Sequence, residues 1–286
     1  MKPMSDTLTI LGSKGGPAIR PGGPNPTSML LSLAGRQIVI DCGLGVTRGL
    51  VETGLSLKQL DLIFITHLHS DHVLELGPLL HTAWTTGLAS PVHLYGPAGT
   101  RQVWQGFLAS LDYDIRTRIE DEGRPDLSSL VKIIEYGEGP VFSEAGLTVI
   151  ALRVDHPPVT ECFALRFSDG LKTVVLSADT AFFPPLADFA AGADLLVHEA
   201  MLPEGVESII ARTGNGARLR EHLHASHTLA ADAGRIAAEA GVRTLVLNHL
   251  IPADDPAFSE EDWRRALAPV WNGPLVIARD GLSVAL

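Results

Sequence analysis

The stretch Thr66-His67-Leu68-His69-Ser70-Asp71-His72 places three imidazoles and a carboxylate within six residues, directly after the apolar run Leu62-Ile63-Phe64-Ile65. A buried strand that ends in such a cluster aims several side chains at one point. Neutral imidazole and carboxylate are the ligands that suit zinc, iron and manganese. The pattern therefore points to a metal site rather than a solvated loop. A catalytic zinc takes three protein ligands and keeps one position open. A second, adjacent ion needs more ligands, and a carboxylate is a natural bridge. Three further candidates stand just past apolar runs: His156 after 149–154, Asp179 after 174–177, and His249 after 245–247.

The elements that must carry these residues can be read from hydrophobic pattern and turn chemistry. In the first half, strands are predicted over 7–12, 29–33, 37–40, 60–66 and 92–95. In the second half they are predicted over 131–136, 147–154, 162–167, 172–177, 194–197 and 244–247. The strand 60–66 is almost continuously apolar, so both of its faces should be covered. Helices fit 46–53, 74–86, 100–112, 185–191, 228–241 and 259–267. The helix over 100–112 has an apolar stripe at Val103, Trp104, Phe107, Leu108 and Leu111. Ser259 and Asp262 form a capping pattern at the last helix. The charged segment 113–126 reads as irregular, either an exposed insertion or a lid. No low-complexity linker divides the chain. The pattern predicts one domain over 1–286, of class α/β (α+β), with two sheets covered by helices. Strand-end loops of both halves would then share one edge.

The net charge of −11 over 286 residues opposes general polyanion binding, which works by neutralising phosphates with Lys and Arg. Arg20, Arg116, Arg118 and Arg153 are scattered rather than clustered. Cys42 and Cys162 read as free buried thiols, with no cysteine at zinc-ribbon spacing. No apolar run reaches the roughly 20 residues that span a bilayer, and residues 1–6 lack a signal peptide's apolar core. The expected place is the cytoplasm, without membrane partners. The loop Gly12-Ser13-Lys14-Gly15-Gly16-Pro17 is glycine-rich but lacks the end of a phosphate-binding P-loop. It would either contact substrate or form a flexible edge.

His67-Leu68-His69-Ser70-Asp71-His72 matches the His-x-His-x-Asp-His motif, so the chain resembles the metallo-β-lactamase superfamily over nearly its whole length. His156, Asp179 and His249 follow in that family's order, and Asp41 matches its aspartate after an early strand. The resemblance implies a four-layer αβ/βα sandwich with two divalent metal ions. Zinc is the first choice, with manganese or iron as alternatives. His67, His69 and His156 would hold the first ion, and Asp71, His72 and His249 the second. Asp179 would bridge them. The implied nucleophile is a hydroxide between the ions, which Asp71 would orient. Asp41 and Thr66 would fix imidazole tautomers.

Leu196-Val197-His198-Glu199-Ala200 and Ala225-Ser226-His227-Thr228 are similar to motifs of ribonuclease Z and the arylsulfatase-like proteins near it. His227 becomes the candidate general acid or oxyanion-stabilising group, and His198 with Glu199 a supporting buried pair. His222 and His224 read as exposed loop positions, with a place on the rim of the site as the second reading. Most of Trp84, Tyr95, Trp104, Phe107 and Tyr113 read as core or interface anchors rather than pocket walls. Ribonuclease Z proteins commonly carry a long tRNA-gripping arm between the third metal histidine and the bridging aspartate. Only 22 residues separate His156 from Asp179 here. The short spacer and the charge favour a small-molecule ester as substrate: a sulfate ester, a phosphoester, or a lactone or cyclic amide. A ribonuclease Z-like phosphodiesterase is the alternative, and a metal-binding protein without catalysis the third class. A homodimer is implied by the resemblance, with 74–86 and the segment around Trp104 as candidate interface surfaces.

Overall fold

The computed structural model describes residues 6–213 and 216–286. The first half builds β1 (Thr7–Gly12), β2 (Ser28–Leu33), β3 (Arg36–Ile40), β4 (Leu62–Phe64), β5 (Val92–Gly96) and β6 (Val131–Glu135). The second half builds β7 (Gly139–Glu144), β8 (Leu147–Arg153), β9 (Phe163–Ser168), β10 (Thr173–Leu176), β11 (Leu195–Met201), β12 (Thr244–Ile251) and β13 (Leu275–Ile277). The chain then returns to the first sheet as β14 (Ser283–Ala285), antiparallel to β1. The two seven-stranded sheets run in the orders β14-β1-β2-β3-β4-β5-β6 and β13-β12-β11-β10-β9-β8-β7.

The helices are α1 (Val46–Glu52), α2 (Ser70–Val73), α3 (Leu76–Thr86), α4 (Thr100–Ser110), α5 (Asp112–Glu122), α6 (Leu127–Leu130), α7 (Pro185–Phe189), α8 (Pro203–Thr213), α9 (Gly216–Ser226), α10 (Ala230–Ala240) and α11 (Glu260–Leu267). Apolar side chains form three slabs. The first lies between the sheets, where Phe64 stacks on Tyr95 and meets Phe142 and Phe167 edge-on. In the second, Leu50, Leu79, Trp84 and Trp104 pack beneath the helices of the first sheet. In the third, Leu186, Ile236 and Trp263 do the same on the second sheet. The result is the four-layer αβ/βα metallo-β-lactamase sandwich.

Both sheets are mixed. β3, β4, β5 and β6 are parallel neighbours, as are β10, β11, β12 and β13. Residues just past the carboxyl ends of such strands gather at one edge, where α/β sheets bind ligands.

Several local expectations need correction. Residues 113–126 are not irregular: α5 covers Asp112–Glu122. It buries only Ile115, too little to show an apolar stripe. Ion pairs Arg116–Asp112, Arg118–Asp114 and Arg118–Glu122 run along its exposed face. Three strands, β7, β13 and β14, lie outside the sequence expectations. The segment that does cover the candidate site, α8 and α9, was also not predicted. The Ser259–Asp262 capping box is formed. No helix among the described residues is long and apolar enough to cross a membrane.

Candidate metal centre

His67 and Thr66 follow β4, and Asp41 follows the adjacent β3. Their pairing is tight. Asp41 Oδ1 accepts the Thr66 N–H at 2.8 Å, and Asp41 Oδ2 accepts from the Thr66 hydroxyl at 2.9 Å. Asp41 Oδ2 also lies 2.8 Å from His72 Nδ1, and the Thr66 hydroxyl lies 3.2 Å from His67 Nδ1. One buried carboxylate thus orients His72 directly and His67 through Thr66, leaving both Nε2 atoms facing outward from the strand ends. His156, in the turn after β8, has its Nδ1 2.9 Å from the Ser226 carbonyl.

His249 is aimed by a bulge. Glu199 of β11 pairs with Asn248, and Ala200 with Leu250, so His249 is the extra residue of β12. A bulge redirects a side chain that would otherwise follow the strand's alternation. His249, Asp41 and Ala178, which precedes Asp179, all have positive φ without being glycine. Such strain at three points of one cluster marks a functional site.

The ligand atoms fall into two groups that share Asp179. His67, His69, His156 and Asp179 form one, and Asp71, His72, Asp179 and His249 the other. In the first group, His69 Nδ1 lies 3.2 Å from both His67 Nε2 and His156 Nε2. Asp179 Oδ2 lies 3.7 Å from His67 Nε2 and 3.8 Å from His156 Nε2. In the second, His249 Nε2 is 3.3 Å from Asp71 Oδ2 and 3.1 Å from Asp179 Oδ2. His72 Nε2 is 3.4 Å from Asp179 Oδ1. Ligand atoms roughly 2.0–2.1 Å from one tetrahedral ion would be about 3.3 Å apart. The donor sets therefore fit a pair of divalent ions. His72 Nε2 is buried without a hydrogen-bond partner, as a nitrogen reserved for an ion would be.

The electrostatics ask for cations. Burial pushes the Asp179 carboxyl up, but His249, His72 and His67 outweigh it and hold it well below the carboxylate range. Burial pulls His249 down, but Asp179 and Asp71 raise it to about 10. Without metal, protons gather where positive charge is needed, and bound cations would displace them. For His67 burial prevails and keeps the imidazole neutral.

Beside the second group, His227 Nδ1 lies 2.9 Å from Glu199 Oε2. The other Glu199 oxygen accepts the Thr180 N–H at 2.6 Å. Burial lowers the His227 pKa, but Glu199 reverses this and raises it. Glu199 and His227 with His249 form a third close group. His198 is not brought to the cluster. It alternates with Glu199 along β11, so it faces away. Its Nδ1 lies 2.7 Å from the Glu199 carbonyl, and burial holds its pKa down at about 4.

A cavity of about 330 Å³ opens over the cluster, lined by His69, Asp71, Asp179, His227 and His249. Its roof is α8 and α9, through Ile209, Leu219, His222 and Leu223. His222 is therefore a half-buried wall residue on a helix rather than an exposed loop position, while His224 on the same helix is exposed. The loop 13–20 supplies the opposite rim. Gly16 N–H donates to Asp71 Oδ2 at 2.8 Å. Gly15 packs so closely that an added Cβ would meet His249 at 2.8 Å. Trp84, Tyr95 and Trp104 are core residues, and Tyr113 is exposed on α5.

Two helix-covered sheets, with adjoining His/Asp metal sites at their common edge, define a dinuclear metal hydrolase of the metallo-β-lactamase fold. The chain belongs to the family described as Anti-Pycsar protein Apyc1, which it matches over residues 7–228. It is 33% identical over 276 residues to a ribonuclease Z of Mycobacterium bovis, covering 96% of this chain and 95% of that protein. Among solved structures it is similar to the metallo-beta-lactamase fold protein YhfI from Bacillus subtilis. The TM-score there is 0.73 at 25% identity, over 98% of this chain and 99% of that one. Human tRNase Z, short form, shares the fold with a TM-score of 0.67 at 20% identity, over 98% of each chain.

Proposed function

We propose that this protein is a metal-dependent phosphodiesterase of the ribonuclease Z kind. The observation that carries the reading is the shared Asp179 between two ligand groups, with the Glu199–His227 pair beside them. Phosphodiester cleavage needs stabilisation of an oxyanion, an oriented water and a proton for the leaving oxygen. Two divalent ions bound at this cluster would supply Lewis-acid charge and lower the pKa of water towards neutrality. His67, His69 and His156 would hold one and Asp71, His72 and His249 the other, with Asp179 belonging to both donor groups. Asp71, fixed by the Gly16 N–H, orients the attacking water. His227 donates a proton from Nε2 to the leaving oxygen, while Glu199 holds the imidazole through Nδ1. Asp41, Thr66 and Glu199 position these groups without touching substrate.

Two features of the sequence favour a small ester over RNA: the net charge of −11 and the short connection from His156 to Asp179. That connection does not separate this chain from the Mycobacterium bovis ribonuclease Z, since the match takes in 95% of that protein. The phosphodiester reading therefore takes precedence. A small-molecule substrate remains the second reading, favoured by the roofed cavity of about 330 Å³. The test is a panel on zinc-loaded protein: precursor tRNA, bis(p-nitrophenyl) phosphate, p-nitrophenyl sulfate and lactones. Turnover of either diester supports the proposal. Turnover of sulfate or lactone with both diesters untouched contradicts it.

We read residues 1–286 as one catalytic domain, because both sheets feed the site. Two free buried thiols fit a reducing cytoplasm. A homodimer through the face of α3 and α4 is the proposed assembly, since Leu74 just before α3, Val103 on α4 and Tyr113 at the start of the following α5 expose apolar surface. Light scattering should give twice the chain mass.

A further inference from the structure

Lys14 and Arg20 line the cavity, and Arg212 of α8 reaches Asp254 on the same wall. Arg20 and Arg212 both pair with Asp254, at 2.5 Å and 3.1 Å. Lys14 differs. Its side chain is buried, with only 5% of the residue exposed, yet no carboxylate among the described residues lies within 4.0 Å of its Nζ. Nζ donates to the Gly15 carbonyl at 2.9 Å and to the Gly16 carbonyl at 3.1 Å. An ammonium carries three protons, so one remains. Burial depresses its pKa and outweighs the charges of Asp254 and Asp71, which act on it without a direct ion pair. A donor proton left over on a group that lines the cavity suits an anion bound there.

The position says which anion. The two carbonyls that hold Nζ belong to the residues that touch the second ligand group: Gly15 packs on His249, and Gly16 N–H holds Asp71. Lys14 lines the same cavity as both. Its backbone is pinned by bridges to Pro26 and Leu250, so the ammonium is placed by the fold rather than by a mobile loop.

We propose that Lys14 is the substrate's anion contact, its remaining proton donating to a non-bridging oxygen of the phosphodiester. This rests on the phosphodiesterase reading. It makes Lys14 a specificity residue that favours a charged diester over a neutral ester with the same leaving group.

The experiment compares Lys14→Met and Lys14→Arg with the unaltered protein, all zinc-loaded, on bis(p-nitrophenyl) phosphate and on its neutral methyl triester. Inorganic phosphate binding is followed by calorimetry. Lys14→Met should raise KM for the diester and weaken phosphate about tenfold or more, the scale of a charged hydrogen bond. Triester turnover, metal content and Tm should stay unchanged, and Lys14→Arg should recover most of the loss. Equal losses on both esters, or unchanged phosphate affinity, would overturn the assignment in favour of a loop strut. Should Lys14→Met not fold, Lys14→Gln carries the same comparison. Failure of the unaltered protein on both diesters counts against the phosphodiesterase reading, while the phosphate titration still decides Lys14.

Discussion

At the residue scale, the proposed chemistry is divided among Asp71, Asp179 and His227. Asp179 is the only residue in both metal-ligand groups, so Asp179→Ala should lose metal and turnover together. Retention of both ions and full rate by elemental analysis and assay would remove the bridge. His227→Ala should keep both ions and lose about 10²–10⁴ in kcat, the usual contribution of a positioned acid. Loss of metal instead would make His227 a ligand. Much of this site is legible in the sequence. His67 to His72 lie in one stretch, and His156, Asp179 and His249 each stand just past an apolar run. The loop that holds Lys14 reads as a substrate contact or a flexible edge, but which of its residues faces the site is not legible, nor is the wall position of His222, because a lone polar residue takes its place from what the fold sets opposite it. The facing of His198 was hidden for a different reason: adjacent strand residues point to opposite sides, so neighbours in sequence do not share a site.

The loop 13–20 and the α8–α9 hairpin meet over the cavity, and Asp254 ties them. It accepts from Arg20 on the loop and from Arg212 on α8, while Asp255 bonds Ser208 of α8. Asp254→Asn should loosen this closure. The expected outcome is a several-fold rise in KM at unchanged metal content, with faster proteolysis within 203–226. Unchanged KM and cleavage would show that the roof holds without the latch. The roof escapes sequence reading because its apolar residues, Ile209, Leu219 and Leu223, line a cavity. With Val206 and Ile210 they pack into a small cluster against Met201 and Ile251, apart from the main core, and divided between two helices they leave each with a short stripe. The edge strand β7 escapes because Gly139-Pro140 opens it and most of its residues are not buried.

The whole molecule is two sheets pressed together so that their strand ends meet. Phe64 sits at that contact, fully buried, among Tyr95, Phe142 and Phe167. Phe64→Ala should cost about 3–5 kcal/mol in urea unfolding. A loss under 1 kcal/mol would mean that the sheets are held together elsewhere. Because β4 leads straight into His67, the same change should also weaken metal retention. The proposed phosphodiester cleavage depends on paired ions at this edge. Its most direct test titrates zinc into chelator-stripped protein while bis(p-nitrophenyl) phosphate hydrolysis is followed. Activity should rise from background and level off at two equivalents per chain. Hydrolysis indifferent to zinc, or two bound equivalents without hydrolysis of any diester, would contradict the claim.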